Sequence, residues 1–382
     1  MALNTLYCDN AATTFPKPQS VLGAILDYMQ NIGASPGRSA HHPALKAGRV
    51  IFTVREKLAA LFNVPDPSRI IFTSNATEAL NLGILGLLSN GDRVATTGME
   101  HNSVMRPLNF LARERGIHVS VAPCDKNGGL DVDAFERTIK TGVKLAVVNH
   151  GSNVCGAIAP LQRMGAIARA HGATFMVDAA QTAGYVDIDV QSMNIDVLVF
   201  SGHKGLYGPA GTGGLYIGDG LNLRPLKYGG TGSDSASEEQ PDFCPDKYES
   251  GTLNGSGIAG LGAGIDFISQ KGLEAVRMHG AELTGYFLDE LSSMDDVAVI
   301  GPNDPENMLP TISIVCKKID QGIVARRLND EFGICIRMGL HCAPNAHRTL
   351  GTFPQGTIRF SFGIFNTLHD IDAIMYALKT VL

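Results

Sequence analysis

Lys204 stands in the stretch 196–214, DVLVFSGHKGLYGPAGTGG, after an apolar run and ahead of most of its glycines. A glycine-rich loop invites phosphate. The nucleotide-binding P-loop, however, carries its lysine after the glycines and followed by Ser or Thr, and here Lys204 comes first. An earlier apolar run, TFMV, leads into Asp178, with Gln181 close behind. A lysine amine that forms a Schiff base with an aldehyde, and an acid that keeps a pyridine nitrogen protonated, are what pyridoxal phosphate asks of a protein. The glycines after Lys204 let the backbone turn closely around such a cofactor without Cβ clashes.

Other strand-like runs end in the same way. SNATEA follows RIIFT (69–73), with Asn75 placed to cap a helix and Glu78 three residues on in a capping-box pattern. That leaves N–H groups around Ala76 and Thr77 at a helix N-terminus, ready for an anion. GMEHNSV follows DRVATT (92–97) and brings His101, GSNVCG follows KLAVVNH (144–150) and brings Asn153, and Ser201 and His203 precede Lys204. Singly, each has an ordinary explanation as a cap or a satisfied core group. Five strand ends carrying such groups toward one crevice make a reaction site.

A frame must hold those ends together. Between 69 and 214 short continuous apolar runs, which include IHVSVA (117–122), alternate with helical patterns such as EALNLGILGLL (78–88) and LQRMGAIARAHG (161–172). That alternation predicts an α/β fold with a largely parallel sheet covered on both faces, whose ligands sit at the carboxyl ends of the strands. The segment 229–257 is rich in Gly, Ser, Pro and acids and reads as long functional loops. Beyond it, helical patterns over 258–294 and the runs TISIVCK (311–317) and TIRFSFG (357–363) predict a smaller α+β domain. Alternation in TIRFSFG puts Thr357, Arg359 and Ser361 on one face, and a bidentate Arg359 suits an amino-acid carboxylate.

A chain of 382 residues exceeds one typical core, so two domains are expected. Its 44% apolar and 18% charged residues are those of an ordinary globular protein, and a net charge of −6 gives no reason to bind nucleic acid or an anionic membrane. No run approaches the roughly 18 apolar residues of a membrane span. The start MALNTLYCDN has neither the basic nor the apolar region of an export signal, so a cytoplasmic location is expected. The 7 cysteines are scattered without any C-x-x-C pair, which argues against a disulfide framework and against a structural metal. Cys342, in RMGLHCAPNAH, differs from the rest. Gly339, Pro344 and Asn345 place it on a loop, and His341 and Arg337 put cationic groups near a thiol that must react as thiolate.

In combination and in order, NATEALN, MEHNS, HGSNVCG, VDAAQ, FSGHK, YESGTLN, RMGLHCA and IRFSFGIFNT resemble the class V, fold type I pyridoxal-phosphate enzymes. Within that group the chain is similar to the group II cysteine desulfurases and selenocysteine lyases, from LYCDNAATTFPKP to its end. The resemblance implies a large cofactor-binding domain (16–257) with a mainly parallel seven-stranded sheet. It implies as well a small C-terminal domain (258–382) carrying the Cys342 loop, and an N-terminal segment (1–15) packed on the small domain. It further implies that Ala76, Thr77, Ser201 and His203 hold the phosphate, that His101 stacks on the ring and moves protons, and that Asp178 pairs with the ring nitrogen. Gln181 then contacts the ring's phenolic oxygen, Asn153 lies near that oxygen and the substrate carboxylate, and Arg359 pairs with that carboxylate. Thr252, in YESGTLN, would reach the phosphate of a neighbouring subunit, which requires a homodimer with its sites at the interface.

The activity so implied converts L-cysteine to L-alanine and leaves the sulfur on Cys342 as a persulfide for an acceptor, whose use stands open among iron–sulfur cluster assembly, tRNA thiolation and selenium metabolism. Selenocysteine lyase, acting on L-selenocysteine, uses nearly the same residues. Another class V aminotransferase-type enzyme would not need Cys342. A non-catalytic scaffold would not need Lys204, Asp178, His101 and Arg359 together. Three residues depart from the common pattern: Gly205 lengthens the segment after Lys204, Ala76 replaces a hydroxyl residue, and Leu340 stands where a second His often precedes the Cys.

Overall fold

A computed structural model describes residues 5–36, 41–234 and 236–382. The described chain begins with β1 (Leu6–Tyr7) and then builds a sheet from β2 (Ile70–Thr73), β3 (Arg93–Thr97), β4 (His118–Ala122), β5 (Leu145–Asn149), β6 (Thr174–Asp178), β7 (Val197–Ser201) and β8 (Gly213–Ile217). The strand order is β2-β8-β7-β6-β5-β3-β4. Every pairing among β3 to β7 is parallel, and β8 alone runs antiparallel, to both of its neighbours β2 and β7.

Both faces of the sheet are covered, as continuous apolar runs require. Phe175, Val177, Leu198 and Phe200 enter one core, and the intervening Met176, Val197 and Val199 enter another on the opposite face. Six of the seven strands follow the apolar runs of the sequence. The seventh, β8 (GGLYI), carries two glycines in place of the head of such a run, and packing explains them. A Cβ on Gly213 would lie 2.7 Å from the Asn75 backbone, and one on Gly214 would strike the Ile71 carbonyl. Glycine is what lets β8 slide in beside β2 and against the start of the helix Ala76–Leu87.

No strand forms over the described part of 229–257, and its end enters the helix Gly255–Lys271. That helix buries Ile258, Leu261, Ile265 and Ile268 in the same core as Leu58 and Phe200. A separate core built on Leu283, Phe287, Ile314, Ile358 and Phe360 lies around β9 (Val297–Ile300), β10 (Thr311–Cys316), β12 (Arg337–Gly339) and β13 (Thr357–Ser361). These form a four-stranded antiparallel sheet in the order β12-β13-β10-β9. The remaining strand, β11 (Ile334–Cys335), pairs in parallel with β1, and Cys8 joins the second core, so the N-terminal segment lies against this sheet.

Candidate active site

The carboxyl ends of β2, β3, β5, β6 and β7 surround a cavity of about 480 Å³. Nine residues singled out in the sequence line it: Ala76, Thr77, His101, Asn153, Asp178, Gln181, Ser201, His203 and Lys204. Asp178 closes β6, is 4% exposed, and accepts a hydrogen bond from the Ala180 amide at 3.0 Å. Burial holds its carboxyl above the usual carboxylate range, against the pull of that amide and of Lys204. Burial also pushes the Lys204 ammonium down to about 8, while Asp178 pulls it up. A lysine held there supplies neutral amine near physiological pH, as Schiff-base and base chemistry both require.

His101 caps the helix Asn102–Arg115, its Nδ1 accepting from the Ser103 amide at 3.1 Å. Burial first, then Lys204 and the Arg337, Arg106 and Arg359 guanidinium groups, pushes His101 down to about 4, so the ring is neutral. The Ser103 hydroxyl lies 2.9 Å from that Nδ1 and 2.8 Å from the Thr77 hydroxyl, joining the helix N-terminus at Thr77 to the imidazole. Sequence reasoning missed Ser103, although MEHNS ends on it.

At that N-terminus Asn75 caps as expected, accepting from the Glu78 amide at 2.9 Å. The reciprocal half of the capping box is displaced. Asn75 is fully extended (φ −174°), and it is the Ser74 amide that reaches the Glu78 carboxylate, at 2.7 Å, while Lys227 takes the other carboxylate oxygen. Among the described bonds the Ala76 and Thr77 amides, in the first turn of the helix at the cavity wall, have no partner. His203 Nδ1 is buried without a partner and, through burial, the ring is pushed down to about 4. Free helix amides, hydroxyls, a buried unpaired imidazole nitrogen, an interior carboxyl and a buried lysine together fit pyridoxal phosphate.

Arg359 and Cys342 approach from the second sheet. Arg359 is 1% exposed, donates from Nη1 to the Asn153 carbonyl at 2.9 Å, and is paired through Nη2 with Asp9; its Nε has no partner. This is no surface ion pair, and Asp9 is a contact that the sequence did not reveal. Asn153 donates from Nδ2 to the His341 carbonyl at 2.7 Å and keeps a buried Oδ1 free. Cys342 is exposed, and the Asn102 amide donates to its carbonyl at 2.8 Å. Both His341 (φ 47°) and Cys342 (φ 58°) adopt left-handed backbone, a strain typical of functional loops.

Of the two cationic neighbours expected for the thiol, one reaches it. Arg337 reaches Cys342 Sγ at 3.6 Å. His341 does not serve the sulfur: its ring is buried, sits 3.0 Å from the Thr357 hydroxyl, and is pushed down to about 2, chiefly by burial and then by Arg359. Adjacency in sequence misled because the left-handed turn sends the two side chains apart. Thr252 is exposed and lines other grooves, outside the cavity. Gln181 lines the cavity while its amide nitrogen donates to the Ala11 carbonyl at 2.9 Å.

The extra residue Gly205 also has a structural reason. A Cβ there would lie 2.5 Å from the Ala183 carbonyl oxygen, a backbone atom that cannot swing aside. Gly205→Ala is expected to destabilise the protein by roughly 1–3 kcal/mol. Thermal melting checks this, and an unchanged midpoint would show that the Lys204 loop is looser than the packing implies.

The class-V aminotransferase family matches this chain over residues 6–374. A probable cysteine desulfurase of Methanothermobacter thermautotrophicus is 36% identical over 383 aligned positions, which cover 98% of this chain and 94% of that protein. The apo structure of a cysteine desulfurase from Thermococcus onnurineus superposes with a TM-score of 0.93 at 33% identity, covering 99% of this chain and 94% of that one. The Escherichia coli cysteine desulfurase CsdA, in an S-sulfonic acid form, superposes with a TM-score of 0.89 at 29% identity over 98% of this chain and 94% of its own. With the family match spanning nearly the whole length and the seven-stranded sheet carrying its expected residues at the strand ends, the chain belongs to the class V aminotransferase family and has its fold type I architecture.

Proposed function

We propose that the protein is a pyridoxal-phosphate-dependent cysteine desulfurase that passes the sulfur of L-cysteine to Cys342 and then to an acceptor. The observation that carries this is an exposed thiol, beside Arg337, on a loop bonded to two elements of the Lys204 cavity through Asn102 and Asn153. The bound cofactor supplies an electron sink; its phosphate is assigned to the Ala76 and Thr77 amides with Ser201 and His203, and its ring nitrogen to Asp178. His101 would stack on the ring, and Gln181 and Asn153 would serve its oxygen. Lys204, as neutral amine, takes the substrate α-proton. Arg359 orients the carboxylate. The Cys342 thiolate then attacks the substrate sulfur: a sulfur–sulfur bond forms as the carbon–sulfur bond breaks, and its electron pair leaves with the three-carbon fragment that is protonated and released as L-alanine.

The proposal includes a cytoplasmic homodimer in which Thr252 serves the partner's site. Exposed Leu22, Leu26, Met29, Leu45 and Phe52 support an apolar face for such pairing. Among the described residues no helix is long and apolar enough to cross a membrane. The decisive experiment offers L-cysteine and L-selenocysteine separately to the purified protein and measures alanine with sulfide or selenide. Turnover of cysteine supports the desulfurase; turnover of selenocysteine alone replaces it with a lyase, and turnover of neither refutes both.

Arg359→Lys tests the carboxylate assignment. Losing a planar, buried fork is expected to raise KM for L-cysteine by about 10- to 100-fold. Steady-state kinetics check it, and an unchanged KM assigns the carboxylate elsewhere.

A further inference from the structure

One carbonyl in the site is unusually heavily bonded. The His203 oxygen, on the peptide that leads into Lys204, accepts from the Thr14 amide at 3.1 Å, the Thr13 hydroxyl at 3.0 Å and the Lys17 ammonium at 2.8 Å. A carbonyl offers two lone pairs, so three donors more than saturate it. The Lys17 ammonium also donates to the Thr14 hydroxyl at 2.7 Å, and that hydroxyl lies 3.1 Å from the Lys204 carbonyl. Burial pushes Lys17 down to about 8, and no carboxylate pairs with it among the described ion pairs. A lysine half-removed from water without a counter-ion is costly, and here it is spent on one backbone oxygen and the hydroxyl beside it.

The same segment reaches the opposite end of the site. Asp9 pairs with Arg359, the Ala11 amide donates to the Ser361 hydroxyl at 2.9 Å, and the Asn10 side chain donates to the Ser361 carbonyl at 3.0 Å. Residues 9–17 thus run as one strap from the guanidinium to the lysine loop. Fixing two reacting groups relative to one another is what a catalytic site gains from such a strap.

We propose that Lys17 is a positioning residue for Lys204, its ammonium fixing the His203–Lys204 peptide and so the direction from which the lysine amine meets an aldehyde. This rests on the assignment of Lys204 as the cofactor lysine. The test strips the full-length chain of cofactor, adds pyridoxal phosphate, quenches aliquots with borohydride and follows the reduced Lys204 adduct by mass. Lys17→Met is expected to slow adduct formation about tenfold, and Lys17→Arg to recover it to within about threefold, with similar melting temperatures throughout. If Lys17→Met reacts at the wild-type rate, or if both variants slow only in proportion to lost thermal stability, the proposal is overturned. Should Lys17→Met not fold, Thr14→Val takes its place: slowed capture supports the strap and unchanged capture sinks it. Absence of any adduct on wild-type Lys204 refutes the cofactor assignment itself, a different result from equal rates.

Discussion

Cys342→Ala is expected to abolish sulfide release from L-cysteine, by at least about 1,000-fold, while cofactor affinity and visible absorbance stay within about twofold of wild type. The asymmetry follows from what the side chain touches. Among the described residues its sulfur has one hydrogen-bond partner, the Arg337 guanidinium at 3.6 Å, and the loop is held by its carbonyl through the Asn102 amide, which alanine keeps. Alanine also tolerates the left-handed φ of 58° about as well as cysteine does. Alanine and sulfide assays beside an absorbance titration check both halves. Retention of a tenth of the activity would mean that sulfur leaves without a protein thiol, and the chain would then run another class V reaction.

Lys204→Ala is expected to lower turnover by about 1,000-fold or more and to end borohydride trapping of the cofactor, while non-covalent binding persists. The pH dependence of trapping in the wild type tests why. With the ammonium pushed down to about 8, roughly a tenth of Lys204 is neutral amine at pH 7, against about 1 in 3,000 for an unperturbed lysine. Capture should therefore rise as pH climbs from 6 to 9, with its midpoint near 8 instead of 10.5. Asp178→Asn removes a charge that pulls the ammonium up, so the midpoint should fall below that of the wild type. A midpoint near 10 would show that the lysine is solvated.

The parts of this site that a sequence displays are those written in local chemistry. RIIFT, KLAVVNH and TFMV read as strands because buried parallel strands are continuous apolar runs, and polar residues just past each run, Thr77, Asn153 and Asp178, line the crevice. What escaped is written in direction and long-range contact. β8 hides because its glycines answer to Ile71 and Asn75, distant in sequence. Asp9 is separated by most of the chain from the Arg359 it pairs with. His341 looked like a partner for Cys342 until the positive φ of both residues turned the imidazole to Thr357. No periodicity or spacing encodes such a turn.

The two carbonyls that tie the reactive loop down have a consequence for delivery. His341 and Cys342 each give their backbone oxygen to a donor that follows a strand of the seven-stranded sheet, Asn153 after β5 and Asn102 after β3. A loop stapled at consecutive residues cannot work as a swinging arm, because carrying the sulfur outward would break both bonds together. On the proposed role of Cys342, sulfur loaded there would wait at a fixed berth, and a recipient would have to bring its own nucleophile to it.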